Sequence, residues 1–240
     1  MGLRLAVVLA LASVSSARAQ TSDPPLVDAV KTGDSAALKA RLAGGANVGD
    51  KDAHGWTAAM WAAGHADSAM LKTLLDAGAD AKPADSPGYN ALVEAAKGNR
   101  AANVALLAAR GHDCSAKDDK GVPAIAYAAA TSTPTLSALI ACKARLNARD
   151  TRGVTALIRA AQQGRTAAVQ LLLAAKAAPN PKDTLGYTAL MWAAHGGWTE
   201  TVKALLTGGA NPALKAKDGF TAREVADRRG HAAAAAELSR

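Results

Sequence analysis

The sequence predicts an all-α solenoid of about seven helix-turn-helix units, and three observations carry that prediction. Glycines at positions 55, 88, 121, 153, 186 and 219 are separated by 33, 33, 32, 33 and 33 residues, a period typical of stacked supersecondary units. Half of the 240 residues are hydrophobic, but just over half of those are alanine, and Phe, Trp and Tyr together make up 3%. Such small side chains suit thin helical layers better than one deep core. With 20% charged residues, the composition is that of a folded chain rather than a disordered one.

The chain begins with Arg4, an uncharged apolar run from Leu5 to Val14, and then Ala17-Arg18-Ala19 before Gln20. This three-part pattern predicts a cleavable signal peptide over residues 1–19, with an apolar run too short to span a membrane. The mature chain is expected to start at Gln20 and to be exported, and the heavy use of Ala, Gly and Arg suggests a bacterial periplasm. Cleavage removes Arg4 and Arg18 and no acid, so the formal charge falls from +8 to +6, or 26 minus 20.

The mature domain, residues 20–240, divides into a cap at 24–51, full repeats at about 52–84, 85–117, 118–149, 150–182 and 183–215, and a cap at 216–240. The N-terminal cap reads as one helix pair, Leu26 to Thr32 and Ser35 to Ala43. Each full repeat opens on an aspartate, at Asp52, Asp85, Asp118, Asp150 and Asp183, three residues before its glycine. Asp can bond its own backbone two residues on, and Gly supplies a positive φ, so Asp-x-x-Gly is turn chemistry. Two residues later a threonine often stands as helix N-cap, as at Thr57, Thr155 and Thr188. The first helix, for example Ala189 to His195, is short and alanine-lined. The second, for example Glu200 to Thr207, has Val202, Leu205 and Leu206 at helical spacing, and Gly209 ends it.

These residues resemble the ankyrin repeat, whose pattern is D-x-x-G-x-T-P-L-H-x-A-A…LL…G-A-x-x-N. The resemblance covers about residues 24–240 and implies a stack whose fingers and first helices form a concave, protein-binding palm. There are departures. Alanine replaces the family's proline throughout, and its histidine becomes Met60, Val93, Ala126, Ile158, Met191 and Glu224. The third full unit is one residue short, where Thr133-Pro134 is expected to restart the second helix as N-cap and N1. Lys143 and Lys176 stand where the C′ glycine belongs, a strained choice if φ is positive there. The last unit carries Arg223 and Glu224 in place of core residues and ends in Ala232–Ala236, a sparse outer face suited to a cap.

No catalytic signature is present: there is no phosphate loop, no G-x-S-x-G and no H-E-x-x-H. His54, His65, His112, His195 and His231 fall at a turn tip, in inter-helix turns and in a closing loop, so no metal or other cofactor is expected. Cys114 and Cys142 belong to adjacent layers. An oxidising compartment favours their pairing, against the alternative of two buried free thiols.

A binding face is therefore sought on the surface. Seven of the eight aromatics occupy two columns. One follows the turn glycine (Trp56, Tyr89, Tyr187, Phe220), and the other lies in the first helix (Trp61, Tyr127, Trp192). Trp198 alone stands outside. Between Lys143 and Lys182 eight cations, including Arg149, Arg152 and Arg159, face only Asp150, and such a patch attracts acidic partners. The expected function is an exported, non-enzymatic, monomeric scaffold that binds a protein, acidic in character, through Trp56, Trp61, Tyr89, Tyr127, Arg149, Arg152, Arg159, Tyr187 and Trp192. The alternative is a sensor of an anionic small ligand at the patch, with a pocket around Arg159. Packing of the aromatics, layer on layer, is the competing account of their columns. Neither a nucleic-acid partner nor a membrane span is expected.

Overall fold

The computed structural model describes residues 23–65, 67–81 and 90–239. The predicted signal segment therefore lies outside the described residues, as do Asp85, Gly88 and Tyr89. Fourteen α-helices are present among the described residues. The first helix of each pair is α1 (Pro25–Lys31), α3 (Ala58–His65), α5 (Ala91–Lys97), α7 (Ala124–Thr131), α9 (Ala156–Gln162), α11 (Ala189–His195) and α13 (Ala222–Arg228). The second helices are α2 (Ser35–Ala43), α4 (Ser68–Asp76), α6 (Ala101–Ala109), α8 (Thr133–Ala141), α10 (Thr166–Ala174), α12 (Thr199–Thr207) and α14 (Ala232–Glu237).

Each pair packs on itself, and its two helices pack on the corresponding helices of the neighbouring pairs. The result is two stacked rows, one of first helices and one of second helices. The first-helix row is sandwiched. In α9, for example, Ala156, Leu157, Ile158, Ala160 and Ala161 are all buried, because alanines let adjacent backbones approach closely. The second-helix row is one-sided, with Leu71, Leu74, Leu107, Leu136, Leu139, Leu172 and Leu205 turned inward. No unit can bury its apolar face alone, so the stack is the stable state.

Polar groups stitch the layers where helices end. Carbonyls in the last turn of a helix lack intrahelical partners. The buried Asn103 amide donates to the Ala62 and Ala63 carbonyls one layer back, and the Arg165 guanidinium donates to Thr131 O at 2.7 Å. His231 Nε2 meets His195 O at 3.2 Å. These three contacts cap first helices from the following unit. Trp198 is the N-cap residue of α12, in register with Arg100, Arg165 and His231. Its indole lies across Gly164, where a Cβ would stand 2.5 Å from the ring. The lone aromatic outside the two columns thus has an inter-layer role. Asparagines join the closing loops: Ala178 N donates to Asn147 Oδ1 and Asn211 N to Asn180 Oδ1.

Local expectations differ from the structure at several helix ends: α1 runs Pro25–Lys31 against an expectation of Leu26 to Thr32, and α12 begins at Thr199 rather than Glu200. Ser132, not Thr133, is the N-cap of α8, and it is also the C-cap of α7. With one residue missing, a single extended residue makes the whole turn, and Thr133 and Pro134 move to N1 and N2. Asn99, φ 58°, joins Lys143, φ 62°, and Lys176, φ 71°, in the left-handed region.

Cys114 is buried in the loop after α6, and Cys142 caps the C-terminus of α8. Their sulphur atoms are joined, with Cα atoms 6.2 Å apart and a separation of 28 positions in sequence.

Two outcomes are expected in chemical denaturation. Lys176→Gly should raise stability by up to about 1 kcal/mol, since relief of the left-handed penalty exceeds glycine's extra unfolded-state entropy. Closing a loop of this size restricts the unfolded chain, so Cys114→Ser/Cys142→Ser should lower stability by roughly 3 kcal/mol. An unchanged midpoint for the double serine variant would mean that the bridge does not form.

Candidate functional site

The fingers that open the first, third, fourth and fifth full units are each built on their aspartate. In the unit beginning at Asp183, one carboxylate oxygen, Oδ1, accepts from the Leu185 and Tyr187 backbone N–H groups at 2.9 Å each. The backbone closes the same turn, with Asp183 N donating to Tyr187 O and Gly186 N to Asp183 O. The other oxygen, Oδ2, accepts from the indole N–H of Trp192 at 2.8 Å. The arrangement repeats. Asp52 Oδ1 takes His54 N and Trp56 N, while Oδ2 takes the Trp61 indole at 2.9 Å. Asp118 takes Lys120 N, Val122 N and the Tyr127 hydroxyl. Asp150 takes Arg152 N, Val154 N and the Arg159 guanidinium at 3.0 Å.

All four carboxylates are buried, so each needs several donors. A donor on the first helix, nine residues after the aspartate, is one of them. Chemically distinct side chains, Trp, Tyr and Arg, fill that position because each carries an N–H or O–H at suitable reach. The last unit supports this account. Alanine 216 stands at the aspartate position and Val225 at the donor position, so acid and donor are lost together. In the second full unit the donor position holds Glu94, buried and paired with Lys97 at 2.9 Å.

Cations from the preceding layer complete two of these sites. Lys31 Nζ donates to Asp52 Oδ2 at 3.1 Å and stands 4.3 Å from the Trp61 ring centre. Lys97 stands 5.3 Å from the Tyr127 ring and 3.9 Å from Asp118. Burial pushes the Asp52 carboxyl upward, but hydrogen bonds from Trp56 N–H, the Trp61 indole, Lys31 and His54 N–H outweigh it and hold the carboxyl at about 2. Burial and the bond to Asp118 both push the Tyr127 hydroxyl well above its ordinary range.

Trp61, Tyr127, Tyr187 and Trp192, first read as contact residues, are thus half-buried with their side chains hydrogen-bonded to aspartates, and Trp56 is half-buried. Trp56 and Trp61 pack with ring centres 4.8 Å apart, and Tyr187 and Trp192 at 5.2 Å. They form two separate pairs near opposite ends of the array, with Tyr127 and Arg159 between them. Tyr89 lies outside the described residues. The three arginines do not act as one group. Arg159 is committed to Asp150 and also meets Gln162 at 3.5 Å, Arg149 donates to Lys182 O at 2.9 Å, and the Arg152 side chain is exposed. Arg159 is therefore neutralised by Asp150 and is not free to hold an anion on its own.

A cleft does open elsewhere on the same face. Between the fifth full unit and the terminal cap lies a volume of about 600 Å³, lined by Leu185, Tyr187, Trp192, Phe220 and Val225 together with Lys217, Asp218, Arg228 and Arg229. Sequence reasoning passed over Leu185, Arg228 and Arg229, because no column marks them and only the stacking of the last two units brings them together. Among the described residues no group of three or more His, Cys, Asp or Glu side chains is placed to hold a metal. No described helix is long and apolar enough to cross a membrane.

Repeated finger, short inner helix and outer helix define a helical repeat protein whose ordered surface is a row of fingers and first helices. The ankyrin-repeat family model matches in three copies, over residues 26–118, 103–183 and 166–239, and the chain belongs to the ankyrin-repeat family. Ankyrin repeats are protein–protein interaction modules. No curated protein matches the chain.

The buried carboxylate carries a pH dependence. The folded carboxyl of Asp52 is depressed below its ordinary 3.8 to about 2, so its stabilisation is present above pH 4 and lost as pH falls towards 2. The loss is on the order of 2 kcal/mol. Asp52→Asn should be less stable than the parent at pH 7, with the difference shrinking across that window in urea titrations.

Proposed function

We propose that this protein is an exported, non-enzymatic scaffold that binds a protein partner through its finger and first-helix face. One observation carries this reading: the hydrogen bonds that Trp61, Tyr127 and Trp192 donate to buried aspartates fix these side chains and also leave each ring partly exposed. A ring already held in place loses little conformational entropy on binding, which favours association. Trp, Tyr and Arg are also the side chains enriched at interface hot spots. The free cation at Arg152 and the +7 excess between Lys143 and Lys182 suit a partner of acidic character. Export, to a bacterial periplasm, is supported by the N-terminal segment and by the joined pair Cys114–Cys142. Arg159, neutralised by Asp150, speaks against a small-anion site centred on it.

Two measurements test this. The exported fraction of the host should contain the chain with Gln20 as its N-terminus; a retained leader in the cytoplasm overturns the export reading. A protein captured from that fraction by the mature chain should bind Trp56→Ala/Arg152→Ser/Tyr187→Ala about tenfold or more weakly. These variants spare the buried aspartates. Equal affinity would move the interface off this face.

A further inference from the structure

The cleft between the fifth full unit and the terminal cap combines an apolar floor with cations that lack anionic partners. Leu185 is 56% exposed and, with Trp198, is one of the two large hydrophobics so exposed among the described residues. It projects from a finger tip beside Phe220 and the buried Val225. Asp218 is occupied: its Oδ2 accepts from the Tyr187 hydroxyl at 2.9 Å and its Oδ1 from Phe220 N. Arg228 lies 4.0 Å from the Phe220 ring centre, and stacking on a ring leaves the edge of the guanidinium fork free for a carboxylate. Neither Arg228 nor Arg229 pairs with a carboxylate among the described residues, whereas Arg223 on the same helix pairs with Asp227. The field of Arg229 is felt across the cleft, where burial, Arg229 and His231 together lower the His195 pKa.

Exposed Leu185, Arg228 and Arg229 leave this cleft without enclosing walls. Small-molecule sites generally bury most of their ligand, so an open cleft fits a segment that runs past it along the first-helix face. Resting on the protein-binding reading above, we propose that this cleft takes an extended acidic segment of the partner. A bulky apolar side chain of that segment sits on Leu185, Phe220 and Val225, and a neighbouring carboxylate is held by Arg228 and Arg229.

The test is panning of a phage-displayed random peptide library on the mature chain, residues 20–240, followed by fluorescence anisotropy with the enriched peptides. Enriched sequences should carry a carboxylate next to a bulky apolar residue. Their affinity should fall about tenfold for Arg228→Gln/Arg229→Gln and for Leu185→Ser, and stay unchanged for Lys39→Gln on α2 at the far end of the array. Asn/Gln isosteres of the same peptides should lose as much. Lys39, Leu185, Arg228 and Arg229 are exposed, and superimposable thermal melts check that each variant folds. Enriched peptides without acids, or peptides bound equally by the arginine variants, overturn the cleft assignment; if those peptides respond to Trp56→Ala instead, the scaffold reading stands without it. Absence of any enriched peptide, or saturable binding of succinate at the cleft in place of peptides, overturns the proposal in favour of a small-anion site.

Discussion

A carboxylate buried at the base of four fingers is the constraint on which this architecture rests. Asp52, Asp118, Asp150 and Asp183 each spend one oxygen on two backbone N–H groups of the finger and the other on a side chain of the first helix. One residue thereby fixes the turn, its angle to the helix and the rotamer of a large side chain nine positions later. A buried charge left short of donors is costly, so in these four units the turn and the helix side chain depend on each other. The paired change to Ala216 and Val225 in the last unit follows the same logic.

Once each unit is set, the solenoid follows from what the unit cannot do alone. Its first helix has apolar residues on both flanks and must be covered twice, while its second helix needs cover on one side only. Helix ends add the polar register. Asn103, Arg165 and His231 satisfy carbonyls of the previous layer's first helix, and a cation at a helix C-terminus also complements the helix dipole. Trp198 occupies the same place in its own turn, using the room left by Gly164. The shortened turn at Ser132 is accommodated by letting one residue cap two helices, and the Cys114–Cys142 pair spans the layers that meet there.

This division of labour decides which side chains of the binding face are available. Trp61, Tyr127, Arg159 and Trp192 serve the fingers first, and any contact they make is through ring or guanidinium surface that remains exposed. Arg152, Leu185, Arg228 and Arg229 have no such obligation. The free chemistry of the face is therefore concentrated in the later units and the terminal cap, where the cleft lies. Fold alone does not fix a partner, but it does fix which groups are at liberty to meet one.

The sequence by itself determined the repeat, its period, the helix pairs and most of their ends. Each of these depends on local chemistry: Asp and Gly in turns, Thr at N-caps, apolar residues at helical spacing. Helix α11 at Ala189–His195 and helix α2 at Ser35–Ala43 coincide with their sequence expectations. The aspartate and donor columns were both visible too, yet their bond was not read, because a spacing of nine residues from turn to helix means nothing until the backbone folds one over the other. Only tertiary structure decided that Arg159 is neutralised while Arg228 is not, and that Trp198 belongs between layers. The first outcome depends on a turn folding over a helix residue nine positions later, and the last on Trp198 and Gly164 meeting across stacked units; a periodic sequence specifies which layers meet without stating which side chains find partners there.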